Sequence, residues 1–157
     1  MKPLNSSLEV GLRVLLILQN AFPEHLDLNQ LVLLDHSVLH SADLGGPESL
    51  HPPVPVRASE LGVKRQAIEA GLEVMIRAHL AHVGVGDGGI EFWAGEAADG
   101  FIKLLETEYA AQLSTRAAWV VQHFGTLDEQ TLRAALSTVA QHWSEEFATA
   151  AAPEELH

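Results

Sequence analysis

Cysteine is missing from all 157 residues of this chain. That excludes disulfides and thiolate metal sites, and it fits a reducing compartment. Long apolar runs are missing as well. The longest purely aliphatic stretch, Val14–Leu18, falls far short of the roughly 20 residues that span a bilayer. The opening Met1–Asn5 lacks the apolar core and small-residue cleavage site of a signal peptide, so the expectation is a cytoplasmic protein with no membrane segment. Positive charge is scarce. Nine Lys and Arg stand against 21 Asp and Glu, a formal net charge of -12. Phosphate neutralisation dominates nucleic-acid binding, so this balance argues against a tight, free-standing nucleic-acid binder.

Catalytic signatures are also lacking. No GxxxxGK[ST] occurs, so the chain is not an ATPase of that class. Ser49 and His51 lie near each other in sequence but without a nucleophile elbow. Gly84-x-Gly86-x-x-Gly89 matches the spacing of a dinucleotide fingerprint, yet strand-like Ile90–Trp93 follows where a helix is required. The expectation is a non-enzymatic protein with no cofactor and no catalytic or metal residues.

What is present is an apolar surplus, 47% of residues, enough for a packed core. Ser6-Ser7-Leu8-Glu9 reads as a capping box, opening a helix with Leu8, Leu12, Leu15, Leu16 and Phe22 on its apolar face, stopped by Pro23. Asp27–Gln30 caps a second helix carrying Leu28, Leu31, Val32, Leu34, Val38 and Leu39, which ends before Gly45-Gly46-Pro47. A third helix is expected over 58–80, with Leu61, Ile68, Leu72, Met75 and Ile76 inward. Two alternating runs then flank Gly86-Asp87-Gly88-Gly89, a hairpin signal. Helices follow: 95–107 with Phe101, Leu104 and Leu105, then 108–124 with Tyr109, Leu113, Ala117, Val120 and Phe124. A last helix after the capping box Thr126–Glu129 carries Leu132, Leu136, Val139, Trp143 and Phe147. The predicted fold class is mainly α, a winged helix-turn-helix-like core with a short β-hairpin wing and a C-terminal helical extension. The predicted boundaries are 1–94 for the winged-helix-like domain, 95–150 for the extension packed on it, and 151–157 for a flexible tail.

The segment His40–Pro53 is the most specialised in the chain. It combines turn formers, prolines at 47, 52 and 53, and two histidines. His40, Asp43, Ser49, Leu50 and His51 are the candidate partner-binding residues here. His36, His40 and Asp43 fall at i, i+4 and i+7. On a continuous helix they would share one face and suit a zinc ion; otherwise the histidines complement a helix C-terminus and Asp43 caps a turn. Arg57, Lys64, Arg65 and Arg77 are four of the nine basic residues and the candidate nucleic-acid contacts. They equally read as a solvated face balanced by Glu60, Glu69 and Glu73, or as a match for an acidic partner. Residues 91–157 hold eleven acids against three bases, so that C-terminal part should repel DNA. Trp143 and Phe147 lie on a stripe that either packs back on the domain or forms a partner seam.

Nearly the whole chain, from about Leu4 to Ala148, resembles the middle component of bacterial ABC-three-component systems, which include Lamassu-like antiphage systems. The resemblance rests on Asn5–Arg13, on His40-Ser41 with Asp43, on Gly46-Pro47 with Ser49–Pro52, and on Glu60-Leu61, Val63–Arg65, Gly71-Leu72 and Met75. Ala118–Val120 and Phe124-Gly125 extend it. Ala42 stands where glycine is expected and Lys64 where arginine is commoner. The resemblance implies a small winged-helix-like accessory subunit connecting an SMC-like or Rad50-like ABC ATPase with an effector, often a nuclease, with catalysis left to those partners. The competing expectation, from the same helix and hairpin order, is a winged-helix transcriptional regulator that binds DNA.

Overall fold

A computed structural model describes residues 6–49, 58–87, 89–125, 130–132 and 134–135, with backbone alone for 43 and 58–62. Leu50, His51, Arg57, Trp143 and Phe147, and the expected tail, lie outside the described residues.

Helix α1, Ser7–Ala21, is the central element. Its first turn is closed by Ser6, whose Oγ accepts the Glu9 N–H at 3.1 Å. Val14, Leu15, Leu16, Ile17 and Leu18 are all buried. A helix that is apolar almost all round is stable only when enclosed, and α1 is covered by elements on several sides. After the Phe22–Pro23 cis peptide bond, Asp27 and Gln30 close a reciprocal capping box on α2, Leu28–Leu39. A short 3₁₀ turn, Ser41–Leu44, follows.

Helix α3, Ala58–Arg77, turns Ile68, Leu72 and Met75 inward. It meets α1 at glycines on both sides. A methyl group on Gly71 would lie 2.7 Å from the Gly11 nitrogen, and one on Gly11 would lie 2.9 Å from the Gly71 oxygen. Only two bare backbones allow this approach. Strands β1, Ala81–Gly86, and β2, Gly89–Ala94, form an antiparallel hairpin registered from Ala81↔Ala94 to Gly86↔Gly89. Leu26 adds an isolated bridge to Phe92 on the outer side of β2, exchanging both backbone hydrogen bonds with it. Helices α4, Ala98–Lys103, and α5, Glu108–Phe124, complete the described frame. Leu113, Ala117 and Val120 of α5, together with Leu132, join the same hydrophobic cluster as α1, α2 and α3.

The described residues are therefore mainly helical with a two-stranded antiparallel hairpin. The link from α2 to α3 spans residues 40–57, much longer than the three or four residues of a helix-turn-helix turn. No helix among the described residues is long and apolar enough to cross a membrane.

Several expectations need correction. Leu8 and Phe22, read as inward-facing, are exposed. Leu8 sits in the first turn of α1, and Phe22 falls after its last turn. The helix expected over 95–107 is confined to Ala98–Lys103, and Leu104, which caps its end, is 78% exposed. Phe101 packs against the core as expected, and Ile102 joins it there. Periodicity identifies an apolar face, but not whether anything covers it. The glycine run is a hairpin, with no helix behind it to hold a pyrophosphate.

Candidate functional site

The specialised segment begins at the C-terminus of α2. His40 caps that helix, its N–H donating to the His36 oxygen at 3.1 Å. Gly45 adopts a left-handed conformation at φ 83° and lets the chain double back. The result is a small self-bonded loop. Ser41 Oγ donates to the Pro47 oxygen at 2.8 Å, and Ser49 Oγ accepts the Ala42 N–H at 3.0 Å. The loop is also fastened to α5. Arg116 Nε donates to the Glu48 oxygen at 2.8 Å. Gly46 lies against the Trp119 ring so closely that a methyl group there would sit 2.7 Å from ring carbons. Trp119 in turn stacks on His123 at 4.3 Å between ring centroids. Residues 40–49 thus form a preorganised platform joining α2 to α5.

Helix α2 ends at Leu39 and Asp43 falls in the 3₁₀ turn, so His36, His40 and Asp43 do not share one helix face. The two histidine rings lie 4.6 Å apart, tilted. No group of three or more His, Asp or Glu side chains with the placement to hold a metal occurs among the described residues.

The helix that leads into the platform also carries the centre of a buried charge cluster. Asp35 of α2 is fully buried, and so is Arg13 of α1 apart from 4%. Arg13 Nε lies 2.8 Å from Asp35 Oδ1 and its Nη2 3.3 Å from Oδ2. Lys64 Nζ of α3 reaches Oδ2 at 2.8 Å. Burial alone would push the Asp35 carboxyl up; Lys64 and Arg13 reverse this and hold it well below the usual carboxylate range. The neighbouring His36 is pushed down to about 3, first by burial and then by His40 and Lys64. His36 is therefore neutral in the folded protein at physiological pH.

This geometry divides the basic candidates. Lys64 lies more than a turn inside α3, and its ammonium is committed to an internal carboxylate. Arg65 is exposed and bonds Asn29 Oδ1. Arg77 is exposed and pairs with Glu73 one turn earlier. These side chains do not converge on one uncompensated basic patch. Sequence reasoning missed the internal role of Arg13 and Asp35. The available signal was a single charge in each of two apolar runs, Val10–Leu18 and Leu31–Leu39, since an isolated charge inside a core helix needs a partner. Arg116 and Trp119 were missed as loop anchors because they lie far along the chain from it.

A family model described as ABC-three component (ABC-3C) system Middle Component 2 matches residues 3–146. Comparison with curated proteins gave no match, and neither did comparison with solved structures.

Proposed function

Since the chain belongs to the middle component 2 family of ABC-three component systems, we propose that it is a non-catalytic assembly subunit of an antiviral defence complex. In this reading it links an SMC-like or Rad50-like ABC ATPase to an effector such as a nuclease, as in Lamassu-like systems, and it works in the cytoplasm. The observation that carries the reading, beyond the family itself, is the 40–49 platform. An adaptor gains from a surface that is already ordered, because little conformational freedom is then lost on docking. The loop is bonded to itself and anchored on α5 through Arg116 and Trp119. His40, Asp43, Ser49, Leu50 and His51 belong to or adjoin it, and Trp143 and Phe147 supply aromatic anchors of the kind that dominate interfaces.

The frame reads as a divergent winged helix. Three helices precede a hairpin, and Leu26 stands where a short first strand would pair with it. That order also supports the alternative of a DNA-binding regulator, with Arg57, Lys64, Arg65 and Arg77 as contacts. The pairing of Lys64 with Asp35 and of Arg77 with Glu73 favours the assembly reading.

Co-expression with a coiled-coil ABC ATPase whose gene is found beside this one tests this. The two should co-purify, and charged residues at Leu50 and His51 should abolish co-purification while the helical circular-dichroism signal persists. A chain that ignores its neighbouring ATPase yet binds one DNA sequence tightly at physiological salt would overturn the assembly reading.

A further inference from the structure

A cleft of about 920 Å³, sharing no lining residue with the platform, lies where the end of α1, the base of the hairpin and α4 meet. Its size falls within the range of small-ligand sites. Phe22 at the end of α1, His79 and His82 around the start of β1, Trp93 of β2, and Glu96 and Asp99 at α4 all line it. Among the described residues, no lysine or arginine lines it.

Three features make this more than a surface dent. The first is its aromatic wall. Trp93 is held by a stacked His25, with centroids 4.1 Å apart and rings 10° from parallel, and the bare Cα of Gly84 leaves room for the indole, since a methyl there would meet it at 2.8 Å. Phe22 is 60% exposed at the same cleft. The second is charge. Residues 79–108 carry Asp87, Glu91, Glu96, Asp99, Glu106 and Glu108 against Lys103 alone. The third is His79. Helix α3 ends in a Schellman pattern, with the Leu80 N–H on the Met75 oxygen at 2.9 Å and the His79 N–H on the Ile76 oxygen at 3.0 Å. The residue between helix and strand in this motif is ordinarily glycine. Here His79 takes the left-handed conformation at φ 61°, which disfavours a side chain and places a ring at the cleft.

We propose that this cleft binds an arginine side chain from a basic segment of a partner protein. An aromatic face suits a planar guanidinium, which stacks on indole more readily than an ammonium does. The two carboxylates supply charge-assisted hydrogen bonds to the same group. The complementarity is with a cation, which sets the site apart from any phosphate-bearing ligand. Only the source of the arginine rests on the assembly reading; the cation preference belongs to the chain alone. Lys103 Nζ lies 2.7 Å from Asp99 Oδ2, both exposed, so it acts as an internal competitor for the site.

The test is titration of the full chain with a decapeptide of alternating arginine and glycine, and with its lysine counterpart. The readout is the indole N–H resonance of Trp93, assigned by its loss in Trp93→Phe. Saturable shifts are expected, with the arginine peptide tighter by at least about threefold, in line with the stacking advantage. Glu96→Gln with Asp99→Asn should weaken binding by about tenfold. Lys103→Gln should strengthen it. His79→Gly should weaken binding while leaving the melting temperature equal or higher, which separates a ligand role from a structural one. Non-saturable shifts, equal affinity for the lysine peptide, or indifference to the paired carboxylate variant would each overturn the proposal. Failure here with intact ATPase co-purification removes the cleft and leaves the assembly reading standing. Peptide binding without co-purification does the reverse.

Discussion

The seam around Asp35 and the β-hairpin treat polar and apolar groups in opposite ways. In the seam, charges are taken out of water and matched internally: Arg13 and Lys64 converge on one carboxylate. In the hairpin, apolar groups are left in water. Register places Ala81, Val83 and Val85 on one face with Ala94, Phe92 and Ile90. That face starts in the core at Ala81 and Ala94 and runs outward until Val85 is 87% exposed. The seam ties three helices into one body. The hairpin adds little to that body beyond its base. Stability and surface are thus separated in space, and substitutions in the two regions should have very different consequences.

The largest effect should come from Asp35→Ala. It leaves two cations near each other without their shared anion, one of them buried. Removing one member of a buried ion pair costs about 3–5 kcal/mol, and a loss of this order is expected in urea denaturation. Lys64→Met should cost less, because Arg13 still satisfies Asp35 and the lysine is 21% exposed. If Asp35→Ala proves neutral, the contrast between the two regions fails at its stronger end.

The same seam should respond to acid. The folded state holds His36 down to about 3, against about 6.5 for an unfolded histidine. The unfolded chain therefore takes up a proton first as pH falls. Stability is fully present above pH 6.5 and is lost progressively toward pH 3. Asp35 adds a second loss only below about pH 4, the ordinary carboxylate range. Between pH 6.5 and 4 the loss attributable to His36 should be about 2 kcal/mol, discounted for partial solvent access. The difference in unfolding free energy between wild type and His36→Gln across that interval checks it. Parallel curves would show that His36 does not govern the response.

The two regions also differ in how legible they were from sequence. The hairpin and the N-caps of the first two helices were readable because their determinants lie within a few residues: Gly86–Gly89 for the turn, Ser6 accepting the Glu9 N–H, and the reciprocal box of Asp27 with Gln30. The seam was not. Lys64 and Asp35 are 29 positions apart, and Arg13 and Asp35 are 22 apart. Composition presents Lys64 as one of a basic group; only the packing of α3 against α2 turns it inward. Within the platform, turn chemistry at Gly45–Pro47 was legible, whereas its fastening to Arg116, 68 positions beyond Glu48, was not. The cleft escaped for a related reason. Phe22, His79, Trp93 and Glu96 carry no shared spacing, and they meet only because α1, the end of α3, and the hairpin converge.

The smallest effect should come from the hairpin tip. Val85→Thr and Ile90→Thr exchange apolar for polar groups that are already largely in water, at 87% and 61% exposure. Threonine keeps the β-branch, so strand preference is retained. The pair is directly cross-strand, and its mutual contact contributes no more than about 1 kcal/mol in such a position. Exposed substitutions away from caps and cores usually fall within about 0.5 kcal/mol, and the double variant should do so in urea denaturation. Phe92→Thr on the same face is the internal control. Phe92 packs against the core and sits at the Leu26 bridge, so it should destabilise measurably where its two outer neighbours do not. If all three cost the same, the face is stabilised along its whole length, and the hairpin belongs energetically with the seam.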